Sequence, residues 1–332
     1  MTETIDTVTL LFPGQGAQQD GMAVGLYTED EHFRGHVDEV FELWGAEGAR
    51  IRRDWLSDSP EIPLDDLRRA QPLLFAVGWA LGRTVLDWGV RPAALLGHSV
   101  GEVVAATLAG VFDLADAARL MADRVEAIAD TPPGGMLGVA ASRAEIEPYL
   151  GPDVALAAVN APRQVMIAGL QAPLDDAAAR LGRDGFTCRR VRTFTAFHSP
   201  AIAPAAHRCA AGFDAITLNP PRLRLFSAYA GGLMTDALAT DREFWLGQPS
   251  ATGFFWPALD ALLAEGDTVL VEAGAGQSLT SLARRHRAVA GGGTESIALL
   301  PARAGRDHRD GEAVRAVRDR LSVQDDALSG AS

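Results

Sequence analysis

Apolar positions along this chain fall into two rhythms. Short runs such as Val8–Phe12, Ala93–Leu96, Leu223–Ser227 and Thr268–Glu272 have the length and apolar density of strands. Longer stretches at helical spacing lie between them. Leu67, Leu74, Val77, Leu81 and Val85 mark a core helix over Leu64–Trp88, with Trp79 and Trp88 as packing residues. Val100–Ala109 and Leu114–Ala129 mark two more helices, separated by Gly110, with Asp113 placed to cap the second. Residues 21–63 are acidic and mixed and read as short helices and loops. Helices are also expected near Pro257–Ala264 and over Leu279–Arg287.

The run Thr131-Pro132-Pro133-Gly134-Gly135 punctuates this pattern and marks a subdomain boundary. Beyond it the expected order is strand Met136–Ala140, helix Ser142–Leu150, strands Val154–Val159 and Gln164–Ala168, helix Ala172–Gly182 and strand Phe186–Val191. That β-α-β-β-α-β order is ferredoxin-like. The expected fold class is therefore α/β: an α/β-hydrolase-like large domain with a parallel sheet (1–133 and 193–305) and an inserted ferredoxin-like small domain (134–192). A charged tail, 306–332, is expected to be partly disordered.

Composition narrows the chemistry. The 332 residues are 48% apolar and 22% charged, enough for a sizeable core. No apolar run reaches the length of a membrane span, and Met1–Asp6 is acidic and unlike a secretory signal, so a cytoplasmic protein without membrane contact is expected. A net charge of −13 argues against general nucleic-acid binding, so an acidic partner would dock on a local arginine patch. All 30 basic residues are arginine, which removes lysine Schiff-base chemistry. Cys188 and Cys209 make no disulfide framework, and no Cys/His cluster has metal-ligand spacing, so neither a metal nor a bound cofactor is expected.

The stretch Gly97-His98-Ser99-Val100-Gly101 joins a strand to a helix and has the G-x-S-x-G spacing of a nucleophile elbow. Two glycines let strand and helix approach while Ser99 projects from a strained turn. The Val100 N–H then starts a helix, where an unsatisfied donor makes half of an oxyanion hole. His98, beside the nucleophile, is expected to line the pocket. Another loop, Pro13-Gly14-Gln15-Gly16-Ala17-Gln18, follows the first strand at the sheet edge where α/β folds bind ligands. No Gly-Lys-Ser/Thr follows it, so nucleotide binding is not expected.

With the elbow, the Pro-Gly-Gln-Gly-Ala-Gln loop, the inserted module and the stretch Phe197-His198-Ser199-Pro200 in collinear order, the chain over about residues 7–303 resembles the malonyl-CoA:acyl-carrier-protein transacylase family, which includes polyketide synthase acyltransferase domains. Ala70-Gln71-Pro72-Leu73 and Trp88-Gly89-Val90-Arg91-Pro92 look more like the polyketide branch. The resemblance implies that Ser99 takes an acyl group from a CoA or phosphopantetheine thioester, with His198 as base and then acid. It also implies that the N–H groups of Gln15 and Val100 form the oxyanion hole and that a carbonyl at Gln248, not an aspartate, orients the imidazole. Arg124 stands at the family's position for the arginine that pairs with a malonyl-type carboxylate, through the planar fork a guanidinium offers. Phe197 resembles the malonyl type, whereas Thr195, Ala275 and the run Gln248–Phe255 depart from the family pattern and leave the acyl group open.

The implied partner is an acyl carrier protein, with Arg189, Arg190 and Arg192 or Arg284, Arg285 and Arg287 as docking candidates. The expectation is a free-standing enzyme acting in trans. Carrier-to-carrier transfer of an unusual acyl or aminoacyl group, an editing thioester hydrolase and a non-enzymatic interaction protein stand as alternatives.

Overall fold

In the computed structural model, which describes residues 7–329, helices cover both faces of a parallel sheet, and a second sheet is inserted between its halves. The acidic start, 1–6, and the last three residues of the charged tail lie outside the described residues. The strands are β1 (Val8–Phe12), β2 (Ala94–Gly97), β3 (Gly134–Val139), β4 (Val154–Ala161), β5 (Gln164–Leu170), β6 (Cys188–Arg190), β7 (Leu225–Ser227), β8 (Gly232–Leu233), β9 (Val269–Glu272) and β10 (Glu295–Ala298).

The larger sheet runs β10-β9-β1-β2-β7-β8, parallel except for the β7–β8 pair. All of β1 is buried, as a central strand covered on both faces requires. Phe12 pairs with Gly97, and Gly97 with Ser227. The C-terminal ends of β1, β2 and β7 therefore lie side by side, and the loops that follow them emerge at one sheet edge. Beneath that edge, helix Leu67–Asp87 starts at the Asp66 cap and buries Leu74, Val77, Leu81 and Val85. Asp113 caps helix Leu114–Ala129 by accepting from the Asp116 N–H at 2.7 Å.

The smaller sheet is antiparallel, in the order β4-β5-β3-β6, which is the ferredoxin-like arrangement. Helix Gln171–Arg183 packs on it through Leu174, Ala177 and Leu181. The Val159 N–H donates to Gly253 O at 2.8 Å and the Gly253 N–H to Ala157 O at 2.9 Å, tying this module to the large one.

Several elements differ from expectation. The helix expected over Ser142–Leu150 is a single turn, Arg143–Ile146, running into a 3-10 turn at Glu147–Tyr149. Residues expected as short helices and loops hold two substantial helices, Glu31–Leu43 and Gly45–Leu56. The helix expected over Leu279–Arg287 is two, Ser278–Ala283 and Arg287–Ala290, because buried His286 turns its ring to accept from the Ala288 N–H and caps a new helix. The tail expected as partly disordered forms helix Arg309–Ser329, which packs on helix Val24–Glu29 and buries Val314, Val317 and Leu321. Its apolar stripe is sparse among charges, and its partner helix is nearly three hundred residues away. Among the described residues no helix is long and apolar enough to cross a membrane.

Glycine matters most where backbone meets backbone. A Cβ on Gly101 would stand 2.1 Å from Phe12 O, and one on Gly97 would stand 2.3 Å from Glu102 N. Gly101→Ala should therefore lower the unfolding free energy by about 3 kcal/mol. Gly182→Ala, in a helix with open space around it, should raise it by about 0.5 kcal/mol. Denaturant midpoints at unchanged slope check both signs.

Candidate active site

Ser99 sits at the bend between β2 and helix Val100–Ala109 with φ 57° and ψ −122°. Among the described residues only Ala23, Ser99 and His198 have positive φ without being glycine. Two of those three are the candidate nucleophile and base, the sort of place where backbone strain is retained. Ser99 Oγ lies 2.9 Å from His198 Nε2. The backbone N–H of His198 donates to Pro249 O at 2.8 Å, and its Nδ1 donates to Ala251 O at 3.1 Å. With Nδ1 occupied as a donor, the Nε2 lone pair faces the hydroxyl.

The expected orienting carbonyl, Gln248, is thereby corrected to Ala251. The turn Gln248–Ser250 carries the chain round so that the later carbonyl meets the ring. Gln248 contributes its side chain instead, donating from Nε2 to Ser99 O at 3.0 Å and accepting at Oε1 from Arg124 Nη1 at 3.3 Å. Burial, and then the nearby His98 and Arg124, push the His198 pKa down to about 3 against the Ala251 and Gln248 carbonyls that raise it. The imidazole is therefore neutral, and able to accept a proton, at pH 7.

Arg124 is buried, and its Nη2 donates to the Trp245 carbonyl. Ser99, Val100, Arg124, Phe197, His198 and Gln248 line one cavity of about 20 Å³, so six residues scattered through the sequence meet at a single point. The other expected positions divide. Gln15 and His98 face a separate groove of about 620 Å³ between the two sheets' modules. There His98 Nε2 bonds Asn160 Oδ1 at 2.9 Å, joining the elbow to β4, so its expected place in the acyl pocket is corrected to the groove. Thr195 is buried and lines neither space, its backbone N–H donating to Thr193 Oγ1 at 3.3 Å. Arg189, Arg190 and Arg285 line the groove together, whereas Arg284 turns away to donate to Ser296 O at 3.1 Å. Gly14 packs so closely under the elbow that a Cβ there would lie 2.6 Å from the Ser99 Cβ. Among the described residues the N–H groups of Gln15 and Val100 donate to no atom of the protein.

Tyr229 went unforeseen. Its hydroxyl lies 3.3 Å from His198 Nδ1 and 3.4 Å from Nε2, with the two rings 34° apart. Such near-equal distances place the oxygen beside the edge of the ring that carries both nitrogens. The only signal in the sequence is that Tyr229 follows a strand, and that matters only once β7 is known to pair with β2.

The acyl transferase domain family matches residues 9–327. The chain is 39% identical over 283 residues to a phenolphthiocerol/phthiocerol polyketide synthase subunit of Mycobacterium tuberculosis, an alignment covering 85% of this chain and 19% of that one. It is 32% identical to the spectinabilin polyketide synthase system protein NorB of Streptomyces orinoci, over 92% of this chain and 14% of the other. The chain thus spans about a fifth or less of these curated relatives. Among solved structures it is similar to the acyltransferase domain from the second module of the salinomycin polyketide synthase, with TM-score 0.84, 32% identity and coverage of 93% and 72%. It is also similar to the acyl transferase domain of SpnD in complex with 2-(pent-4-yn-1-yl)malonyl, with TM-score 0.82, 35% identity and coverage of 95% and 75%.

Because burial holds the His198 pKa low, the base form persists as pH falls. The rate at which a sulfonyl fluoride modifies Ser99 should therefore be level between pH 7 and 5. A stopped assay read by intact mass checks this, and an inflection at the ordinary histidine value near 6.5 would contradict it.

Proposed function

The chain belongs to the acyl transferase domain family and is an acyltransferase of the polyketide synthase type; from that premise we propose that it moves a short, carboxylated acyl group of malonyl type. The donor is a CoA or phosphopantetheine thioester, which is substrate and not cofactor. The acceptor is the phosphopantetheine thiol of an acyl carrier protein.

The observation that carries this reading is the meeting of Ser99, His198 and Arg124 in one small cavity. Ser99 Oγ attacks the thioester carbonyl while His198 Nε2 takes its proton. The oxyanion forms beside the Gln15 and Val100 N–H groups, which have no other acceptor. The imidazolium returns the proton to the leaving sulfur, the C–S bond breaks, and an ester remains on Ser99. An incoming thiol then gives its proton to His198, its sulfur attacks the ester, and the proton passes back to Ser99 Oγ.

Arg124 supports a carboxylated group. Its fork binds a carboxylate through two charge-assisted bonds that a neutral chain cannot return. Phe197 and the small volume support a short one. The related SpnD domain, in complex with a substituted malonyl group, fits the same class. The groove lined by Arg189, Arg190 and Arg285 offers the positive surface that a phosphopantetheine arm and an acidic carrier would meet.

Exposure to malonyl, methylmalonyl and acetyl thioesters, each on CoA and on a carrier protein, followed by intact mass, tests the reading. A malonyl adduct should appear on the native chain and be absent from Ser99→Ala. Arg124→Ala should lower kcat/KM for malonyl loading by about 100-fold while sparing acetyl loading. Labelling by neutral acyl groups alone would overturn it.

A further inference from the structure

The reaction above makes no use of Glu102, yet this residue is built into the site. It lies in the first turn of helix Val100–Ala109 and is fully buried. Its N–H donates to Ser99 O at 3.0 Å, the same carbonyl that receives the Gln248 side chain. Neither of its carboxyl oxygens has a hydrogen-bond partner. The Ser227 and Gln248 side chains face the carboxyl from just beyond hydrogen-bond distance, and Arg124 acts on it through its charge.

An ionised carboxylate without hydrogen bonds or an ion pair in a dry interior is strongly disfavoured, so this group holds its proton at neutral pH. Burial pushes its pKa up to about 8, opposed in part by Ser227, Arg124 and Gln248. Arg124 presents the complementary situation. It is a buried cation whose hydrogen bonds run to the amide of Gln248 and the carbonyl of Trp245, both neutral acceptors. Were Glu102 ionised, it would be a rival for that charge inside the protein. As a neutral acid it leaves the charge open.

We propose that Glu102 is a specificity-determining residue, kept as a neutral acid near Arg124 so that the guanidinium charge is reserved for the carboxylate of the incoming acyl group. This rests on the carboxylated-substrate reading above. By linkage, an acyl carboxylate placed beside Arg124 disfavours loss of the Glu102 proton, so loading at mildly alkaline pH takes up protons. Selectivity for a carboxylated over a neutral acyl group then declines as pH rises through the range in which Glu102 ionises. The other groups facing it do not titrate there. Burial brings Arg124 down to about 10, so it keeps its charge up to about pH 9, His198 is already neutral, and the Tyr229 phenol is held well above its ordinary value by burial and then by Glu102 itself.

The test measures kcat/KM for loading by malonyl-CoA and acetyl-CoA from pH 6.5 to 9.0 on the full chain, native and Glu102→Gln, together with proton uptake by the native enzyme at pH 8. In the native enzyme the malonyl-to-acetyl ratio should fall by about fivefold between pH 7.5 and 9.0, in KM and not kcat. In Glu102→Gln it should stay level. Malonyl loading should take up a fraction of a proton that acetyl loading does not. A level ratio in the native enzyme, an equal fall in the variant, or equal proton uptake from the two donors would overturn the role of Glu102. If the variant does not fold, proton uptake by the native enzyme decides alone. Malonyl loading with a level ratio overturns only the role of Glu102. Failure of malonyl-CoA to load at any pH, with acetyl-CoA loading, overturns the substrate reading and this proposal together.

Discussion

The bend at Ser99 is what the rest of the site depends on, and backbone contacts hold it. β1 and β2 end level with one another, so the Phe12 carbonyl presses against Gly101 and the loop at Gly14 lies under the Ser99 side chain. No larger residue fits at those contacts, and the pressure keeps Ser99 at φ 57°, where a non-glycine residue is strained. The opposite side of the cavity repeats the arrangement. His198, at φ 60°, is tied by its N–H to Pro249 O, and its ring is aimed by the Ala251 carbonyl. Each reactive group is thus fixed by its own loop, and the 2.9 Å contact between them is the result of that placement.

Burial then sets the protonation states. Three titratable groups are buried around the elbow, and each keeps the form that the interior tolerates: imidazole neutral, carboxyl protonated, guanidinium charged because its intrinsic affinity for a proton is so high. The cavity therefore carries one positive charge, which is what a carboxylated substrate needs. With a carbonyl in place of the carboxylate behind His198, no second negative charge competes for Arg124.

Elements set by local rules were legible in the residues. The elbow followed from two glycines flanking a serine between a strand and a helix, and Asp113 announced its helix. The small module's order of elements was readable because each is short and bounded by turn residues. The tail helix was not legible, since Val314, Val317 and Leu321 are an apolar stripe only against the helix Val24–Glu29 that covers it.

The site divides along the same line. Spacing and family resemblance pointed to Ser99, His198 and Arg124, which the fold brings to one cavity, whereas the place of Ala251 and not Gln248 as orienting carbonyl, the place of Tyr229 beside the imidazole, and the separation of Arg284 from Arg285 were not legible. The chain by itself determined the reactive turn and the helices on either side of it, because steric and capping rules act within a few residues. Only the tertiary structure decided which carbonyl, phenol and carboxyl surround that turn, because strands β1, β2 and β7 meet through the pairing of segments up to 130 residues apart, and burial at that junction sets the charges.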